Sequence, residues 1–220
     1  LSLPEQIAYL ERMKSLSIHL FSVTILLLTG GCQSAYYSTM EKFGVEKRDI
    51  LVDRVEDARD AQQDTKEEFT DALEQFSALI AYEGGELEKV YDNLKDKFDA
   101  SDAAASAVKD KIRKIESVSS DLFQEWDAEI EQFSSESLKR KSRDARVQTE
   151  RSYLTMIRKM KAAEATMYPV LDLFRDQVLF LKHNLNARAI ASLDTETGAI
   201  ESEVRKLVEE MNVSIAEADA

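Results

Sequence analysis

The feature that most constrains the fold is a heptad spacing of apolar residues that recurs over the chain after residue 50. Between Leu51 and Leu79, apolar or small residues recur in alternating steps of four and three, which places them along one side of an α-helix. Gln62 and Thr65 interrupt this seam, so we expect that the first helix is not buried on all sides. Only 6 glycines and 2 prolines occur in 220 residues, which is typical of long amphipathic helices.

The same spacing predicts four helical segments. The stretch "EGGEL" at 83–87 ends the first segment, "SSES" at 134–137 separates the second from the third with Ser135 as the helix N-cap, and a break near "IASLD" at 190–194 precedes the fourth. Pro169 is expected to kink the third helix without ending it. Two long central segments and two shorter outer ones predict an all-α fold: an elongated antiparallel coiled-coil or four-helix bundle with a projecting two-helix hairpin.

Charge supports an antiparallel hairpin of the second and third segments. Residues 117–137 contain six acids and no base, whereas residues 138–161 contain nine bases and two acids. A turn at 135 and 136 would place Glu129 near Ser142 and Glu125 near Arg146, with opposite charges beside the seam. Two interpretations of the basic cluster stay open: the tip contacts anionic lipid headgroups, or the bases pair with the acids of the second segment, which we prefer. The cluster consists of Lys139, Arg140, Lys141, Arg143 and Arg146.

The amino-terminal stretch is typical of a secretory signal peptide. About 13 mostly apolar residues at 16–28 follow a basic Arg12-Met13-Lys14, and they are too few to span a bilayer. We interpret Met13 as the start of translation. The ending "LTGGC" resembles a bacterial lipobox, although Thr29 takes the position where leucine is usual. Lipidation of Cys32, the only cysteine, would give lasting membrane attachment; a plain signal peptide is the alternative.

The domains predicted from these patterns are a signal peptide at 1–31, a lipidated N-terminus and connector at 32–48, and a helical coiled-coil domain at 49–220. In bacterial lipoproteins an Asp after the cysteine suggests retention in the inner membrane, so by this resemblance Gln33 favours the outer membrane. We therefore expect a lipid-anchored protein of the cell envelope that faces the periplasm from the outer membrane.

The composition and the motifs of the sequence disfavour several activities. The formal net charge is -13, which disfavours binding to nucleic acid because phosphates require a basic surface. One cysteine and two histidines, with no Glu-x-x-His pair, make neither a zinc site nor a di-iron site. His183 stands alone, and we assign it a structural role; Trp126 and the methionines at seam spacing are assigned to the core. No catalytic residue, metal ligand or cofactor is predicted.

Three stretches carry a family resemblance: "CQSAYYSTMEKFGVEKRDILVDRVEDARDAQ", "GGELEKVY" and "RDQVLFLKHNLNARAIASL". They resemble a group of Gram-negative bacterial lipoproteins that are classed as a domain of unknown function, and the likeness covers the chain from Cys32 onwards. The resemblance implies a helical, coiled-coil protein of the envelope. It implies no established activity and no catalytic residues.

Three hypotheses on function follow. The first is a non-enzymatic envelope lipoprotein, tethered through Cys32, that acts as a scaffold or adaptor for an envelope protein partner; a homo-oligomer stays open. The second is a carrier of lipid or of a small apolar ligand, which predicts a cavity among Met160, Phe174, Leu181 and Leu207. The third, an enzyme of the cell wall or of lipids, lacks the clustered polar residues that it would require.

Overall fold

A computed structural model describes residues 46–81, residue 84 and residues 86–219. The chain divides into two units, residues 1–47 and residues 48–220. The four helices described here belong to the second unit, except that the first helix begins one residue earlier, at Lys47. The signal peptide, the Cys32 lipidation site and nearly all of the connector lie outside the described residues. The described part forms four α-helices, which confirms the predicted all-α class. They are α1 (Lys47–Ile80), α2 (Leu87–Ile130), α3 (Glu136–His183) and α4 (Ala187–Ala218).

Two of the three predicted breaks lie where the sequence placed them. Gly84, between α1 and α2, has a φ of 137°, a backbone conformation that residues with a Cβ rarely adopt. Ser135 is the N-cap of α3, and its hydroxyl accepts a hydrogen bond from the backbone N–H of Leu138 at 3.4 Å. The α3 helix continues through Pro169 to His183, as predicted. These two helix breaks therefore lie at residues whose local chemistry favours a helix end.

The predicted break near residues 190–194 is wrong, because the chain turns at residues 184–186. Asn186 is the N-cap of α4, and its Oδ1 accepts hydrogen bonds from the backbone N–H groups of Arg188 and Ala189, both at 3.1 Å. Asn184 caps the end of α3, and its N–H donates to the carbonyl of Leu181 at 3.1 Å. Asparagine satisfies the free backbone groups of a helix end, whereas "IASLD" contains no helix breaker and continues within α4.

Polar contacts between the helices establish an up-down order. Asp71 pairs with Lys97 at 2.7 Å, and Asp57 pairs with Lys111 at 3.9 Å. Since one residue number rises as the other falls, α1 and α2 are antiparallel. Other ion pairs also join neighbouring helices. Arg59 of α1 pairs with Asp219, just after α4. Asp102 and Asp127 of α2 pair with Arg175 and Arg146 of α3, respectively, so α2 and α3 are antiparallel as well. Sequential antiparallel helices of this kind form an up-down bundle.

Side chains from all four helices form one continuous hydrophobic core. Fully buried aromatic and aliphatic side chains include Phe69 of α1, Ile112 of α2, Phe174 of α3 and Leu207 of α4. The core contains Met160 and Met167 as predicted, while Met156 is half-buried against it. Tight contact among such side chains is the main source of stability in a helical bundle.

Gln62 and Thr65 are also part of this interior, with exposed fractions of 0% and 1%. The expectation that α1 is not buried on all sides is correct, since Val52, Glu56 and Asp60 are exposed. The reason given for it is wrong, because Gln62 and Thr65 lie on the buried side. The Gln62 Nε2 donates to the carbonyl of Met160 at 3.4 Å, and its Oε1 accepts from the Ser214 hydroxyl at 2.8 Å. Thr65 donates to the carbonyl of Ala61 at 2.6 Å. Buried polar groups persist where they are hydrogen-bonded, and Gln62 thereby joins α1 to α3 and α4.

The α2–α3 pair extends past these four-helix contacts. Leu51 of α1 and Asp219, just after α4, lie in one groove with Tyr153 of α3, and Tyr153 packs edge-on against Phe123 of α2. Beyond that level, residues 124–148 comprise the end of α2, the turn and the start of α3. We refer to these residues as the arm. They correspond to the hairpin that the sequence predicts.

Candidate functional site

The predicted site residues at the tip lie on the first three turns of α3, opposite the end of α2. Lys139 donates to one carboxylate oxygen of Glu131 at 2.6 Å, and Arg143 donates to the other at 3.2 Å. The hydrogen bond from Lys139 lowers the pKa of Glu131, and the charge of Arg143 adds to this effect. A single acid of the turn therefore holds two of the five predicted bases.

Arg146 lies deeper between the two helices, with only 15% of its side chain exposed. It donates to Asp127 at 2.9 Å and to Glu150 on its own helix. The guanidinium carbon lies 5.1 Å from the centre of the Phe123 ring, a distance at which a cation and an aromatic face attract each other. Arg146 thus joins α3 to α2 through contacts that are largely buried inside the hairpin.

Two contacts describe the register of the arm. Trp126 Nε1 donates to the hydroxyl of Ser142 at 2.9 Å, whereas the sequence placed Glu129 near Ser142. Arg146 donates to Asp127, two residues after the predicted Glu125. These two contacts deviate from the predicted pairs in opposite directions, so they indicate no uniform shift of register; the turn itself occupies residues 131–135 between the helices. The general prediction of opposite charges between α2 and α3 is confirmed.

The five predicted bases divide into two sets. Lys139, Arg143 and Arg146 pair with carboxylates of α2 or the turn. Arg140 and Lys141 are exposed, and no carboxylate among the described residues lies within ion-pair distance of either. The interpretation that the acids of α2 account for the basic cluster is therefore correct for three residues and wrong for the other two.

Arg140 begins a longer exposed surface on α3 that the sequence reading missed. At about 100° per residue, Arg140, Val147, Arg151, Leu154 and Arg158 lie within roughly 60° of one another on the helix. Lys141 and Lys159 flank this row, and Asp144 is its one acid. We call the following seven residues the outer strip: Arg140, Lys141, Val147, Arg151, Leu154, Arg158 and Lys159.

The cations of the outer strip are available to a partner. All five are exposed, and none has an ion pair within the described part of the chain. Arg158 donates only to the carbonyl of Leu154 and the hydroxyl of Thr155. Val147 and Leu154 lie between the arginines and remain 36% and 47% exposed. A second apolar repeat, offset from the inner seam of α3, is the sequence signal that would have revealed this surface.

A groove lies next to the arm, at the level where α1 begins and α4 ends. It has a volume of about 530 Å³, and its apolar lining comes mainly from Leu51 and Val55 of α1 and Tyr153 and Met156 of α3. Burial raises the pKa of the Tyr153 hydroxyl above its ordinary value. The groove is separate from the predicted carrier cavity, whose residues are completely or almost completely buried in the core. Those residues are Met160, Phe174, Leu181 and Leu207.

The structure also shows where His183 and Trp126 lie, and whether metal ligands or membrane-spanning helices occur in the described part of the chain. His183 is the exposed last residue of α3. The assignment of Trp126 to the core is wrong, because Trp126 is half-buried in the arm, where its Nε1 donates to Ser142 of α3. In the described ranges, no three His, Cys, Asp or Glu side chains are grouped so that they could hold a metal ion. No helix in the same ranges is both long and apolar enough to cross a membrane.

Comparison with known proteins gives a family and no activity. Neither the curated proteins nor the solved structures contain a match to the chain. One family model, described as a protein of unknown function (DUF2959), matches residues 36–220. This match covers all four helices, the arm and the outer strip. The chain therefore belongs to the DUF2959 family of proteins of unknown function.

Proposed function

We propose that this protein is a non-enzymatic scaffold or adaptor of the bacterial cell envelope that is tethered to a membrane through a lipid on Cys32. The observation that carries the proposal is the outer strip, where five cations and two aliphatic side chains are exposed along one helix. Charged side chains on the inner side of the same helix are paired. An exposed row of unpaired charge along one helix is suited to binding another molecule.

The proposed tether rests on the sequence. An apolar stretch, small residues and then the only cysteine follow one another at residues 16–32, in the order that precedes lipid attachment in bacterial lipoproteins. Two or three acyl chains on one residue bury tens of methylenes, each worth about 0.8 kcal/mol. Such an anchor would hold the helical bundle at a membrane.

The tether is tested by replacing Cys32 with serine. We expect that the Cys32→Ser protein leaves the membrane fraction or accumulates as an unprocessed precursor, because the acceptor thiol is absent. Gel mobility and membrane fractionation give the readout, with Ser34→Ala as a matched control near the same position. A Cys32→Ser protein of mature size in the membrane fraction would contradict the proposal.

The adaptor role is tested by crosslinking in intact cells. A photo-crosslinking amino acid is placed at Arg140 in the outer strip and, as a control, at Lys206, which lies on α4 with 61% of its side chain exposed. We expect discrete protein adducts from position 140 and not from position 206. Adducts with lipid alone, or the same adducts from both positions, would overturn the adaptor role.

A carrier of a small apolar ligand is the second candidate, and the groove beside Tyr153 and Met156 favours it. Protein purified from the envelope would then release an apolar molecule that native mass spectrometry detects. Met156→Glu, which places a charge in the groove, should abolish this signal. Protein that carries no such molecule at any stage of purification would exclude the carrier role.

A further inference from the structure

We propose that the outer strip is a docking surface for an acidic amphipathic α-helix of a partner protein. This inference deepens the adaptor function proposed above and rests on it. The surface extends from Arg140 to Lys159 on one side of α3, which at 1.5 Å per residue is roughly 30 Å long. That length matches a partner helix of about five to six turns.

The spacing of the outer strip is that of a helix-binding seam. Val147, Arg151, Leu154 and Arg158 follow one another at steps of four, three and four. This is the repeat with which one helix meets another, since it returns to the same side every two turns. The inner side of α3 uses the same repeat to pack into the bundle through Met160, Met167 and Phe174. The α3 helix therefore has two seams, and only the inner one has a partner among the described residues.

The chemistry of the outer seam determines which helix fits it. A partner would place aliphatic side chains over Val147 and Leu154, and carboxylates opposite the arginines. Arginine suits this role because its planar guanidinium binds a carboxylate through two hydrogen bonds. Asp144 is the one acid within the row, and it lies beside Arg140 and Lys141 near the tip end of the surface.

The charge of the whole helix supports an acidic partner. In α3, Lys and Arg outnumber Asp and Glu by eleven to six. The other three described helices have the opposite balance: five bases to ten acids in α1, seven to eleven in α2 and three to seven in α4. An acidic helix is therefore attracted to one side of this bundle and repelled by the others, which selects its position.

An anionic membrane fits the surface less well. Binding to a lipid surface normally combines cations with large apolar side chains that enter the acyl region, whereas the outer strip offers only Val147 and Leu154 between arginines. The exposed apolar residues at the tip, Phe133 and Leu138, are accompanied by Glu131 and Glu136. Glu131 is paired with Lys139 and Arg143, but Glu136 has no ion pair in the described part of the chain and would oppose contact with anionic headgroups.

The test uses the purified chain and two synthetic helical peptides of about three heptads. Both peptides carry leucine at the seam positions, and the flanking positions are glutamate in one and lysine in the other. We expect the chain to bind the glutamate peptide and not the lysine peptide, as measured by fluorescence anisotropy at low salt. Raising the salt concentration should weaken binding, because exposed ion pairs are screened.

Two double variants locate the binding. Arg151→Glu with Arg158→Glu should weaken binding of the glutamate peptide at least about tenfold, since two attractions become repulsions. Lys89→Glu with Lys114→Glu makes the same change of net charge at two exposed lysines of α2 and should leave binding unchanged. Leu154→Ala should weaken binding without lowering the melting temperature, because Leu154 is 47% exposed.

Several outcomes would overturn the proposal. They are the absence of binding to the glutamate peptide, equal loss in both double variants, and binding only to vesicles of phosphatidylglycerol and phosphatidylethanolamine. If the chain binds no peptide but self-associates, and the Arg151→Glu and Arg158→Glu changes abolish this self-association, the surface would be assigned to a second copy of this chain. If peptides fail while crosslinks from position 140 still reach an envelope protein, the acidic-helix inference falls and the adaptor function stands.

Discussion

The four-helix part of the bundle and the arm are held together in different ways. In the four-helix part, side chains such as Phe69, Phe76 and Leu207 are fully buried. In the arm, Ile130 is buried, while Phe133 and Leu138 remain 40% and 51% exposed. The arm relies instead on charged pairs along its sides. Stability therefore resides mainly in the four-helix part, and the surface available to a partner lies on and beside the arm.

The two parts also use polar groups differently. Gln62 is enclosed in the four-helix part and makes hydrogen bonds to Ser214 and to the carbonyl of Met160. Glu131 of the arm binds Lys139 and Arg143 at the surface, where 64% of its side chain is exposed. A buried hydrogen bond is costly to lose, whereas an exposed ion pair contributes about 0 to 1 kcal/mol. This contrast predicts a graded series of mutational effects.

The largest effect is expected from removing a core side chain. Phe69→Ala should lower the free energy of unfolding by about 3–5 kcal/mol, because a fully buried aromatic ring leaves a cavity. Leu138→Ala in the arm should change it by less than about 1 kcal/mol, since that side chain is half exposed. Urea denaturation followed by circular dichroism measures both. Equal effects would show that the arm contributes as much to stability as the core.

A smaller effect is expected from the buried amide. Gln62→Ala removes two hydrogen bonds and leaves the Ser214 hydroxyl without its partner, which should cost about 1–3 kcal/mol. Replacing Ser214 with alanine in the same protein should cost less than the sum of the single changes, because the two residues share one bond. A double-mutant cycle from urea denaturation measures this coupling. Strictly additive effects would mean that the hydrogen bond between Gln62 and Ser214 contributes nothing to the free energy of unfolding.

The helix caps provide a third comparison. Asn186 accepts two backbone hydrogen bonds at 3.1 Å in the four-helix part, and Ser135 accepts one at 3.4 Å in the arm. Asn186→Ala should therefore cost about 1 kcal/mol, and Ser135→Ala about 0.5 kcal/mol. Thermal unfolding of both variants gives the order. A larger loss of stability in Ser135→Ala than in Asn186→Ala would contradict this prediction.

The smallest effect concerns Glu131, whose lowered pKa reflects its bonds to Lys139 and Arg143. A carboxylate with a lowered pKa stabilises the folded state above its ordinary pKa, and this contribution is lost as the pH falls through the folded value. NMR titration should show that the pKa of Glu131 lies below the ordinary value of a glutamate. Lys139→Gln should raise the pKa of Glu131 towards its ordinary value, while Lys206→Gln should not. An unchanged pKa in Lys139→Gln would exclude Lys139 as the cause.

Much of this architecture was predictable because it depends on neighbours in the sequence. The heptad repeat, the glycines near residue 84 and the cap at Ser135 determined the α1–α2 and α2–α3 breaks and the seam of each helix. The segregation of acids and bases on either side of residue 137 determined that α2 and α3 pair in opposite directions. Each signal acts within a few turns of helix, or between two segments joined by one short turn.

Only the tertiary structure decided which surfaces are covered. Gln62 is buried because α3 and α4 both reach it, from residues 98 and 152 positions away. The bases of α3 divide into paired and unpaired sets because Lys139, Arg143 and Arg146 lie on the side of α3 that meets the acids of α2 and the turn, whereas Arg140 and Lys141 do not. Periodicity specifies the direction in which a side chain points. Whether a neighbour meets it depends on the packing of all four helices together, and for that reason the outer strip became apparent only in the folded bundle.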